Sequence, residues 1–111
     1  KEGVKRVVLR DFFNDELKAA LIISNYCLTQ LERDFFERTG ELPDQKQIDW
    51  FKTGASAEIN NFSAFTLSDK EFTFLFAPYQ VSSYALGRWS VTVPFSELED
   101  VFKINGPRSF L

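Results

Sequence analysis

Phe72, Phe74 and Phe76 alternate with Thr73 and Leu75, and this period of two comes after a long segment whose apolar period is near 3.6. That switch constrains the chain more than any other feature. A strand with three phenylalanines on one face must bury that face, and the apolar side of the upstream helix is the natural cover. The expected fold is therefore α+β. An antiparallel sheet of about three to four strands packs on one long helix, with short additional helices around it.

The helical segment is predicted over about residues 15–39. Leu17, Leu21, Ser24, Leu28, Leu31 and Phe35 recur at spacings of four and three, and Ala20, Ile23 and Cys27 widen the stripe. Asn14 is the expected N-cap, and Asp15 and Glu16 suit the first turn, where the helix dipole favours negative charge. Gly40 is the expected residue just past the C-terminus. Pro43 and Asp44 open a second, shorter helix through Lys52, with Ile48 and Phe51 on one side and Trp50 unassigned. Gly54 ends it.

Val4 to Leu9 reads as a short strand, and residues 55–61 read as loop. Ser63–Leu67 and Phe72–Phe76 form a hairpin across the turn-rich Ser68-Asp69-Lys70-Glu71. Trp89 to Val93 is a third strand, ended by Pro94. Ser96 and Glu99 have capping-box spacing for a terminal helix through about Phe102.

The chain has 111 residues, enough for one domain with a genuine core, and that domain is expected to span 1–111. Thirteen phenylalanines stand against three tyrosines and two tryptophans, so most rings bring burial without a polar handle. Net charge is −3, and the cations are scattered, which argues against nucleic acid or an anionic membrane as the main partner. The longest apolar run, Ala19 to Ile23, is far short of the ~20 residues a membrane span needs, so any membrane attachment is expected outside this chain. The chain starts at Lys1 and has no methionine, so it reads as an excised or processed piece of a longer polypeptide.

Several chemistries lack their residues. There is no histidine, which removes Ser-His-Asp and Cys-His catalysis and the commonest zinc ligand. The one cysteine, Cys27, falls within the long helix and reads as a small buried residue. The five glycines are spread singly and form no phosphate loop. Neither cofactor nor metal is expected, and no enzyme activity. Carboxylate-only catalysis stays open as an alternative, because a glycosidase needs just two placed acids.

The stretch Pro78 to Arg88, PYQVSSYALGR, joins two strands and is long for a connection in a compact domain. Tyrosines suit protein or sugar recognition, so Tyr79, Gln80, Tyr84, Arg88 and Trp89 form the candidate binding surface. Alternatively, Tyr79 and Tyr84 simply cover the sheet edge, with Gly87 supplying a special backbone angle.

The string FTFLFAPYQVSSYALGRWSVTVPFSEL resembles the family called domain of unknown function 3298. The residues that carry the likeness are Phe74, Phe76, Pro78, Tyr79, Val81, Tyr84, Ala85, Gly87 and Val91 to Leu98. The L-x-D-F-F start at Leu9 to Phe13, Asn61-Phe62 and Leu67-Ser68-Asp69-Lys70 add to it, so the similarity runs from Val8 to Phe102. Arg88-Trp89 departs from the family's pattern, which often has proline or a polar residue after the Y-x-x-G stretch.

The resemblance implies a bacterial cell-envelope domain outside the cytoplasm, periplasmic, extracellular or anchored at the cell surface, as in lipoproteins. It also implies another small domain upstream. Members are similar to the outer portion of a lysozyme-receptor anti-sigma factor and to an accessory domain of a peptidoglycan deacetylase. The expected function is a non-catalytic binding or accessory module whose partner is a protein, lysozyme-like, or a peptidoglycan-related glycan. The alternatives are a purely structural domain that packs against its upstream neighbour and, second, a carboxylate-dependent hydrolase acting on wall glycan.

Overall fold

The computed structural model describes residues 8–102, and in it the alternating phenylalanines form the middle of a three-stranded antiparallel sheet. The strands are β1 (Phe65–Leu67), β2 (Glu71–Phe76) and β3 (Trp89–Pro94), in the spatial order β1-β2-β3. The register sets Phe72, Phe74 and Phe76 opposite Val93, Val91 and Trp89, and all six are buried. The other face carries the short partners: the Thr73 and Thr92 hydroxyls meet at 3.1 Å, and Leu75 beside them is exposed. The turn at 68–71 is closed by the Ser68 N–H donating to the Glu71 carbonyl at 2.9 Å.

Helix α1 (Glu16–Thr39) lies against the inner face of the sheet, and α2 (Gln45–Gly54) packs beside it. Short 3-10 helices at Leu9–Phe12, Ile59–Phe62, Tyr84–Leu86 and Phe95–Val101 complete the described elements. The fold is α+β, with the long helix on the sheet as expected.

The buried face of α1 is Ala19, Ala20, Ile23, Ser24, Cys27 and Leu31. Small side chains at 19, 20 and 27 let the helix axis approach a sheet that supplies the bulk as phenylalanine. The predicted stripe is therefore rotated: Leu17 is 80% and Leu21 52% exposed. Both sit on the flank of the buried stripe. Gly40 ends the helix in the left-handed conformation, φ 76°, and its N–H donates to the Phe36 carbonyl at 2.8 Å.

Other expectations are corrected by particular hydrogen bonds. Asp15 caps α1, accepting from the Lys18 N–H at 3.0 Å, because Asn14 is committed elsewhere. The Asn14 side chain donates to the Phe102 carbonyl and its N–H to Val101, pinning the start of the described chain to its end. Leu9 belongs to a 3-10 helix rather than a strand, and residues 4–7 of the expected strand lie outside the described residues. Residues 59–61, within the stretch read as loop, join Phe62 in a 3-10 helix that buries Ile59 and Phe62. At 95–101 Pro94 is the N-cap and no side chain caps, so Ser96 lies inside the element and the capping box does not form.

Phe72 is the hub of the core. Its ring lies 5.1 Å from Phe95, 5.3 Å from Phe12 and 5.6 Å from Phe65, centroid to centroid, each edge-to-face. Pairs in this geometry add about 0.5–1.5 kcal/mol each beyond the area they bury. Phe102 stacks on Phe13 at 5.4 Å, so the two ends of the described chain close over the same cluster.

Candidate functional site

The connection from β2 to β3 is a strap clamped along most of its length. It opens with a turn, Ala77-Pro78-Tyr79-Gln80, closed by the Gln80 N–H donating to Ala77 at 3.0 Å. Proline at the second position and a positive φ of 66° at the third make it a type II turn with tyrosine where glycine is usual. Such a backbone costs a non-glycine residue about 1–3 kcal/mol.

The surroundings hold it there. The Gln80 side-chain oxygen accepts from the Ala77 N–H at 2.9 Å, while its Nε2 donates to the carbonyls of Gly54 at 2.9 Å and Asn61 at 3.0 Å. Trp50 Nε1 donates to the Tyr79 carbonyl at 2.7 Å. Gln47 Nε2 donates to Val81 at 2.8 Å, and its Oε1 accepts from the Ser82 hydroxyl at 2.9 Å. Gly54 is obligatory: a Cβ there would stand 2.7 Å from the Gln80 carbonyl carbon and closer still to its oxygen. Helix α2 thus serves as the rail to which the first half of the strap is fixed.

The second half is fixed by Arg38, from the last turn of α1. Nη1 donates to the Leu86 carbonyl and Nη2 to the Arg88 carbonyl, both at 2.7 Å, and the guanidinium covers the Trp89 ring at 3.9 Å. Phe51 meets the same indole edge-to-face at 5.6 Å. Gly87 takes φ 92°, a left-handed backbone suited to glycine. One turn before Arg38, burial pushes the Asp34 carboxyl above its ordinary value, with the neighbouring Arg38 charge pulling it back only in part.

Between the two halves is a hollow of about 240 Å³. Phe76, Pro78 and Tyr79 line it from one side, and Ser82, Gly87, Arg88 and Trp89 close the other. Trp89 Nε1 is buried with no hydrogen-bond acceptor, a deficit worth about 1–3 kcal/mol for a buried donor. A second hollow of similar size lies at the start of α1, where Glu16, Glu58 and Arg10 surround Leu17. Among the described residues no group of acidic, cysteine or histidine side chains could hold a metal ion, and no helix is long and apolar enough to cross a membrane.

The five sequence-predicted residues part ways here. Tyr79 is 62% exposed and Arg88 is exposed, both at the rim of the hollow. Gln80 is spent on internal hydrogen bonds, and Trp89 is only 4% exposed, so it forms wall rather than surface. Tyr84 begins the Tyr84–Leu86 turn of 3-10 helix, and its side chain lies outside the described part of the structure. Arg38, Gln47 and Trp50 were missed. For Arg38 a signal existed, since it falls seven residues after Leu31 and so lies on the same face of α1 as that buried residue.

Fold and site define a small α+β domain whose built feature is a rim of tyrosine and arginine on a rigid strap. The chain belongs to the family described as "Protein of unknown function (DUF3298)", whose model matches residues 10–96. No match was found among curated proteins or among solved structures.

Proposed function

We propose that this domain is a non-catalytic binding module of the bacterial cell envelope, working outside the cytoplasm, and that it engages a protein partner through the strap between β2 and β3. The observation that carries this reading is Tyr79, kept in a costly left-handed backbone at the mouth of a hollow by hydrogen bonds from α2. Strain maintained by such a frame is a mark of a presented side chain, and preorganisation lowers the entropy lost on binding. A protein suits the site better than a wall glycan. Sugar rings stack on open aromatic faces, and the Trp89 indole is covered by Arg38 and abutted by Phe51.

Capture from envelope extract by the wild-type chain and by Tyr79→Gly tests this, with lysozyme as one defined candidate. Glycine keeps the turn, relieves its backbone and removes the side chain, so a melting temperature no lower than that of the wild type with lost capture is expected. Identical capture by both proteins would overturn the reading of the strap as a binding surface.

Two other readings each have one observation in favour. Exposed Leu17 and Leu21 on α1 favour a structural domain that docks against a neighbouring domain of the same polypeptide. Leu17→Glu with Leu21→Glu would then lower the melting temperature only in the longer protein. Glu16 and Glu58 around one hollow favour a carboxylate-dependent hydrolase, although both are exposed and an acid catalyst works from a desolvated site. Release of reducing sugar from peptidoglycan, lost in Glu16→Gln, would support it.

A further inference from the structure

The side-chain charge around the Tyr79–Trp89 hollow is of one sign. Arg88 contributes an exposed guanidinium, and among the described residues no carboxylate pairs with it. A second guanidinium, that of Arg38, sits behind the wall on the Trp89 ring, with its hydrogen bonds going to the neutral carbonyls of Leu86 and Arg88. The Trp89 N–H has no acceptor, the Ser82 hydroxyl already donates to Gln47, and no aspartate or glutamate lines the hollow. The rest of the lining is apolar, from Phe76, Pro78 and the indole. On a chain of net charge −3 this is a local inversion of sign.

We infer that the hollow takes a carboxylate attached to an apolar group, with Arg88 gripping the carboxylate and the Phe76–Pro78 side receiving the apolar part. This rests on the reading of the strap as a binding surface and names the chemistry that surface recognises. A guanidinium fork matches a carboxylate in two parallel hydrogen bonds, which a neutral amide cannot reproduce. A hollow of about 240 Å³ accommodates a group the size of a single large side chain with its carboxylate, not an extended chain. The same chemistry is offered by a free acylated amino acid and by the last residue of a peptide.

The test is a titration of the 15N-labelled chain, read at the indole N–H of Trp89 and the amides of Gly87 and Arg88. The probes are N-acetylphenylalanine, a tetrapeptide ending in phenylalanine, and the C-terminal amide of each. The free acids are expected to shift these resonances saturably at millimolar concentration, and the amides are not. Arg88→Gln should weaken the acid probes by about tenfold to a hundredfold, the loss of a charged hydrogen-bond pair, with the fold unchanged because that side chain holds nothing in place. Tighter binding of the tetrapeptide acid than of N-acetylphenylalanine identifies a peptide end as the source, and equal binding identifies the free acid. Amides that bind as well as acids would overturn the carboxylate assignment and leave a binding strap. Failure of all four probes to move any strap resonance would also overturn it, and a Tyr79→Gly chain that still captured its partner would separately overturn the binding reading.

Discussion

The guanidinium of Arg38 lies over the indole of Trp89 at 3.9 Å while its two Nη atoms reach the carbonyls of Leu86 and Arg88. One side chain from the end of α1 thereby closes the far end of the strap and seals the first residue of β3. Arginine suits the position because its planar fork satisfies two carbonyls while its face stacks on the ring.

Replacing Arg38 should therefore do more than a surface change. Arg38→Ala loses the cation–π contact and two charge-assisted hydrogen bonds, and about 2 kcal/mol of stability is expected after allowing for the exposure of the side chain. Arg38→Lys keeps the charge but can serve only part of the fork, so it should fall between the two. Urea unfolding followed by tryptophan fluorescence measures both effects, and Arg38→Ala should shift native emission to the red as Trp89 gains water. An alanine variant as stable as wild type would mean the strap is held by α2 alone.

At Tyr79 two truncations should separate. Tyr79→Gly relieves the left-handed backbone, whereas Tyr79→Ala removes the ring but keeps the strain. Glycine is expected to be more stable than alanine by about 1 kcal/mol, the reverse of the order found in a helix. Thermal melts of the two variants side by side decide it. Equal melting temperatures would show that the turn relaxes at no cost.

Gly54 should be the least replaceable residue of α2. Alanine gains about 1 kcal/mol of helix propensity but drives a methyl into the Gln80 carbonyl, a backbone group that cannot swing aside. A net loss of about 3 kcal/mol is expected, with Tyr79 and Val81 amides shifted in the NMR spectrum because the strap must lift. Gln80→Ala probes the same joint from the other side. It strands the carbonyls of Gly54 and Asn61, and about 2 kcal/mol of destabilisation is expected from denaturant midpoints.

The sheet and the long helix were legible because each writes its period directly into the residues: Phe72, Phe74 and Phe76 alternate, and Gly40 punctuates α1. The rotation of the α1 stripe was not, since Leu17 and Leu21 look like core residues until the packing leaves them on its flank. The strap was visible as a segment but not as a mechanism. Its fixings are polar side chains, Arg38, Gln47, Trp50 and Gln80, bonding to backbone carbonyls far away in sequence, and backbone acceptors leave no pattern in the residue order. For the same reason Gln80 looked like a ligand-binding residue when its hydrogen bonds are all internal.

Cys27 offers a pH test of core integrity. It sits fully buried on the sheet-facing side of α1, and burial pushes its thiol from the ordinary 9.0 up to about 12. The folded chain therefore holds the proton where the unfolded chain has released it. The stability tied to this group is fully present below pH 9.0 and drains away as pH rises towards about 12, at a slope of at most about 1.4 kcal/mol per pH unit. Cys27→Ala abolishes that slope. The variant should be about 1 kcal/mol less stable at neutral pH from the lost volume, and the gap should narrow and then reverse as the solution is made alkaline. Every other side chain is common to both proteins, so the difference between their denaturant midpoints isolates the thiol. A gap that stays constant across that range would mean the thiol reaches solvent in the native state.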